Sequence, residues 1–136
     1  MELEELMNSL DFDNNRYFYH ITGQGFGDEI IEEGLALEDR DLRSTTIEIP
    51  IEMIDDPIGY CESEYSDTLV KRQEMVIIGC EKGEEGYIVE KSEISKWIGD
   101  QKLNYFIPSE YVLGYINLKT LSVTLNPEYQ YGGRHV

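Results

Sequence analysis

The sequence predicts an α+β fold: a single domain over residues 1–136, with a mixed or antiparallel split sheet and short helices. Three observations point there. Helical periodicity occurs only in short blocks, and most of these fall early. The second half is dominated by apolar, β-branched runs. The elements do not alternate strand and helix as a parallel sheet requires. A chain of 136 residues with a hydrophobic share of 40% fits one domain with one core.

Taken in order, Leu3, Leu6, Met7 and Leu10 recur at helical spacing, so residues 2–10 predict an amphipathic helix. "DFDNN" breaks it. "RYFYHIT" (16–22) is aromatic and β-branched and predicts the first strand. "GQG" is a turn. "FGDEIIEEG" predicts a short helix with Phe26, Ile30 and Ile31 facing inward. Asp28 and Glu29 sit at its positive end, and Gly34 ends it. "RSTTIEI" (43–49) predicts a strand stopped by Pro50. "IEMIDD" predicts a helical turn, and "CESEYSDTLVKR" (61–72) a helix with acids early and bases late. "EMVIIGCE" and "GYIVEK" predict a hairpin around "KGEEG". "SEISKWIG" predicts a helix with Ser92 as N-cap and Gly99 just past its end. "NYFIP", "VLGYINL" and "LSVTLN" predict three late strands before an irregular tail.

The charge is unevenly placed. Residues 1–68 hold 19 acids and 3 bases, while residues 69–136 hold 9 acids and 8 bases, for a net −17. Such a field repels nucleic acid and anionic membrane, because phosphate binding needs Lys and Arg. It attracts a basic partner, with a protein as the expected kind, and it also serves plain solubility. No apolar run approaches 18 residues, so no membrane span is expected. "MELEELMNSL" carries acids where a signal peptide carries bases, so a cytoplasmic location is expected. Cys61 and Cys80 lack C-x-x-C spacing and are expected to be buried thiols.

Several chemistries are disfavoured by spacing. Gly23, Gly25 and Gly27 suggest a dinucleotide turn, but G-x-G-x-x-G needs glycine where Asp28 stands. Acids at 28, 29, 32 and 33 would repel a pyrophosphate at that helix start. Neither a P-loop nor a G-x-S-x-G elbow occurs. With two histidines and no calcium-loop order, no metal site is expected. His20, alone in an aromatic strand, reads on its own as a packed core histidine.

The company His20 keeps adds a second reading. "YFYHIT" followed by a short helix and "EEGL" resembles the opening of the ADP-ribosyltransferase-like fold. DNA-modifying ADP-ribosyltransferase toxins and RNA 2′-phosphotransferases open in a similar way. "NYFIPSEYVLGYINL" (104–118) resembles that fold's late catalytic strand and the strand after it. Together the segments cover about a quarter of the chain. The resemblance implies NAD as substrate, with His20 on its ribose and Thr22 shaping the same wall. It implies Ser44, Thr45 and Thr46 of "LRSTTIE" lining the pocket, with Tyr60 or Tyr65 as a stacking ring. The family's glutamate, which stabilises the oxocarbenium-like transition state, falls on Asn104, which carries no charge. Glu110 is the nearest carboxylate and the catalytic candidate.

Three outcomes follow from that departure: a variant transferase using Glu110, a nucleotide binder without turnover, or a scaffold acting through its surface. The last leads to a function of another class. It is an acidic, non-enzymatic inhibitor or decoy of the phage or mobile-element counter-defence type, occupying the basic groove of a nucleic-acid-binding protein.

Overall fold

The computed structural model describes residues 2–38, 46–65, 73–83 and 104–129. The elements in chain order are α1 (Leu3–Ser9), β1 (Asn15–Thr22), α2 (Phe26–Glu33), β2 (Leu35–Glu38) and β3 (Thr46–Glu48). Next come α3 (Ile51–Asp55), α4 (Pro57–Tyr65), β4 (Glu74–Glu81) and β5 (Asn104–Ile107). A 3₁₀ turn (Ser109–Tyr111), β6 (Val112–Asn117) and β7 (Val123–Leu125) complete the set. The fold is α+β. Among the described residues the strands form two antiparallel sheets, one of five strands in the order β3-β1-β4-β6-β7 and one of two, β2-β5.

β4 lies at the centre of the larger sheet, and seven of its eight residues are buried. That explains its unbroken apolar run, since a strand covered on both faces has no reason to alternate. Side chains along a strand point alternately to opposite faces. Tyr17, Tyr19, Met75, Ile77 and Ile116 thus share one face and pack with Leu3, Leu6, Met53 and Cys61. Phe18, Val76, Ile78 and Cys80 share the other and pack with Ile30, Leu35, Ile107, Tyr111 and Val112. Helices α1, α3 and α4 cover the first face, while α2 and the β2-β5 sheet cover the second. Both cysteines are buried thiols, one in each core. At the strand edge Arg16 pairs with Glu48 at 2.8 Å and lies over the Phe18 ring, tying β1 to β3.

α1 buries Leu3, Leu6 and Met7, as its periodicity predicts, behind a reciprocal cap between Glu2 and Glu5. In α2 the prediction needs one correction. Ile30 is buried and Ile31 half-buried, but Phe26 is 53% exposed. The reason lies at Gly27, which faces the sheet so closely that a Cβ would stand 2.5 Å from the Tyr115 ring. Gly27 and Ile30 therefore define the inward stripe, and Phe26, a step of about 100° away, turns to solvent. Gly34 ends the helix at φ 87° with its N–H on Ile30 O, in the backbone region that glycine favours.

β2 is a strand that the sequence reading did not contain. Residues 43–45 of the predicted "RSTTIEI" strand lie outside the described residues, and β3 supplies its remainder before Pro50. The predicted helix over 61–72 begins earlier, at Pro57, and its part beyond Tyr65 lies outside the described residues. So do "GYIVEK", "SEISKWIG" and the end of the tail.

Candidate functional site

His20 is 7% exposed and sits two residues from the end of β1. It shares the parity of Phe18, so it belongs to the sheet face covered by α2 and the smaller sheet. Its register partners are Thr46 on β3 and Val76 on β4, and the same row continues through Tyr115 on β6 to Thr124 on β7. Thr22 follows on the same face, half-buried, and pairs with Glu74.

Glu74 is the residue that sequence reasoning missed. It stands at the first position of β4, 5% exposed, diagonal to His20 on one face. Its Oε1 accepts the Gly27 N–H at 2.7 Å and its Oε2 accepts the Gly25 N–H at 2.9 Å. A carboxylate on helix-start amides is a charge-assisted arrangement, and it meets the positive end of α2. Gly25 reaches it in a left-handed conformation, φ 90°. The Tyr115 hydroxyl donates to Asp28 Oδ1 at 2.9 Å, fixing the same helix start from the other side. Partial burial and, secondarily, the Asp28 carboxylate hold the Tyr115 phenol above its ordinary value, against a lowering hydrogen bond with Thr124.

The glycine turn is therefore an anion site filled from within. Its amides point at the chain's own carboxylate, and a phosphate arriving there would meet Glu74 and Asp28. The residues carried no signal for this clamp, because β4 has a glutamate at each end and only the fold buries Glu74 while leaving Glu81 exposed.

The other predicted residues are placed as follows. Tyr60 lies on α4, and its hydroxyl meets that of Tyr19 at 3.2 Å, on the opposite face of the sheet from His20. The sheet separates these two candidates, because Tyr19 and His20 are consecutive residues of one strand. Glu110 lies half-buried in the 3₁₀ turn, before the residue of β6 that pairs with Ile78. The row of His20 crosses β6 five residues later, at Tyr115, so Glu110 stands at the other end of that strand. Asn104 opens β5 in register with Glu38 of β2. Ser44 and Thr45 lie outside the described residues. Among the described residues no group of three or more His, Cys, Asp or Glu is placed to hold a metal ion, and no helix is long and apolar enough to cross a membrane.

No protein-family model matches the sequence. No curated protein matches it either. Among solved structures the chain is similar to a guanine-specific ADP-ribosyltransferase, with 13% identity over 91% of this chain and 87% of that one, at a TM-score of 0.38. It is also similar to the scabin toxin from Streptomyces scabies in complex with NADH, with 15% identity over 91% of this chain and 84% of that one, at a TM-score of 0.35. At these TM-scores neither likeness decides fold or function, which rest on the strands and side chains described above.

Proposed function

We propose that this chain is an ADP-ribosyltransferase-like protein that binds NAD against the His20 face of its larger sheet, beside the smaller one. One observation carries the reading. The two segments that resemble that fold in sequence meet in space, because Leu35, the last residue of the first, pairs with Ile107 of the second, 72 residues further along the chain. Leu35 and Ile107 then pack in the core on the sheet face that His20 shares. The sheet is thus split, and the histidine strand belongs to the larger half. An imidazole there can donate to or accept from a ribose hydroxyl, and Thr22 adds a hydroxyl on the same face. This reading draws no contribution from Tyr60, whose hydroxyl meets Tyr19 on the opposite face of the sheet.

Transfer of ADP-ribose to a macromolecule would break the bond between ribose C1′ and nicotinamide, and positive charge would grow on the sugar. Glu110 and Glu38 are the carboxylates tied to this reading, the first by sequence and the second by its register with Asn104. NAD at millimolar concentration is expected to raise the Tm of the native protein, and His20→Ala to remove the rise. No shift in the native protein would overturn the reading.

A second reading keeps the scaffold without the reaction: an acidic inhibitor or decoy of the counter-defence type, bound to a basic protein. Its support is the exposed acidic side of α2, where Glu29, Glu32 and Glu33 face solvent beside exposed Phe26. Partner binding should then weaken steeply with salt and with charge reversal at these positions. Binding indifferent to both would exclude it.

A further inference from the structure

We propose that the groove along α3 and α4 is a docking site for a basic side chain, arginine or lysine, of a protein partner. It shares a basic partner with the second reading above but places the contact on a different face. It is independent of NAD binding, since it lies on the sheet face turned away from His20. The groove measures about 560 Å³ and is lined by Pro50, Glu52, Asp56, Gly59, Tyr60 and Ser63.

Its wall has the parts that such a side chain needs. Glu52 and Asp56 supply two exposed carboxylates, and among the described residues no lining residue is basic. Asp56 is held in place, with Oδ1 accepting the Gly59 N–H at 3.1 Å. A Cβ at Gly59 would collide with the other carboxylate oxygen, so the acid lies directly over that backbone. The Tyr60 hydroxyl is engaged inward with Tyr19, which fixes the ring as one side of the groove. Pro50 and the Tyr60 ring give the groove its apolar surface.

Arginine and lysine combine an apolar stem with a cationic head. Arginine in particular stacks on aromatic rings and forks onto carboxylates. The half of the chain that carries the groove holds 19 acids against 3 bases, so the long-range field favours the same occupant. An anionic ligand would face two carboxylates.

The test uses the full chain and a capped penta-arginine peptide, with binding read by fluorescence polarisation. Glu52→Gln with Asp56→Asn removes two groove charges and keeps the Asp56 cap, because the asparagine side-chain oxygen accepts the same N–H. Glu4→Gln with Glu128→Gln removes two exposed charges elsewhere. The groove variant is expected to weaken binding about tenfold, and the control about twofold or less. Tyr60→Leu, with its Tm checked for folding, should weaken binding as well. Equal loss in both charge variants, or no saturable binding by the native chain, would overturn the proposal. Because NAD should still raise the Tm of the groove variant, either outcome can be told apart from failure of the NAD reading.

Discussion

Tyr19 and Tyr60 meet hydroxyl to hydroxyl at 3.2 Å, and this contact joins β1 to α4 on the side of the sheet that His20 does not face. Tyr60→Phe removes one partner of a part-buried hydrogen bond and is expected to cost about 1 kcal/mol. The NAD-induced rise in Tm should stay as in the native protein. A variant that lost the rise would return Tyr60 to the binding site.

Gly27→Ala sets two effects against each other. Alanine favours a helix over glycine by about 1 kcal/mol. The new methyl, however, would stand 2.5 Å from the Tyr115 ring and 2.7 Å from Glu74 Oε1. Overpacking of this kind costs about 1–3 kcal/mol, so net destabilisation is expected in urea unfolding. A more stable variant would mean that the helix start can retreat from the sheet.

Glu74→Ala leaves two amides, at Gly25 and Gly27, without their acceptor. A loss of about 2–3 kcal/mol is expected, with Glu74→Gln milder because one acceptor oxygen remains. Equal midpoints for the native chain and the alanine variant would show that water replaces the carboxylate without penalty.

Turnover separates the two carboxylates. If NAD is hydrolysed, nicotinamide release should fall by at least about tenfold in Glu110→Gln or in Glu38→Gln, with the NAD-induced Tm rise retained. A drop at Glu38 alone assigns the work to the strand that pairs with Asn104. Full activity in both variants removes both from the chemistry.

Cys61 gives the chain an alkaline limit. Burial, with a smaller contribution from Glu62, pushes its thiol up from 9.0 to about 11. The folded state thus keeps a proton that the unfolded state releases first. This contribution to stability is complete below about pH 9 and is lost as pH rises toward about 11. Urea midpoints measured across that window should fall, and Cys61→Ala should flatten the fall. Thiol-directed alkylation of Cys61 at pH 8 should likewise wait for unfolding.

Much of this architecture was legible in the residues. Leu3, Leu6 and Met7 announced α1 by spacing, and "YFYHIT" and "EMVIIGCE" announced the two strands that pair along their whole length. β2 was not legible, because four residues of "LALE" carry too little pattern and their partner lies far along the chain. Phe26 misled for a local reason, since it lies four residues before Ile30 but Gly27 sets the helix rotation. The separation of Tyr60 from His20 depends on which face each helix covers, and periodicity carries no such information. Glu74 hid because its partners are backbone amides, which have no signature in sequence.

The Glu74 clamp also orders events in time. Glu74 and Gly27 are 47 residues apart, and α2 is only eight residues long. A helix that short does not persist alone in water. Its first amides gain their acceptor only once β4 has docked beside β1, after a long loop has closed. The helix that follows the glycine turn is therefore expected to form late in folding. Conservative substitutions such as Ile30→Val should speed unfolding and leave the refolding rate nearly unchanged.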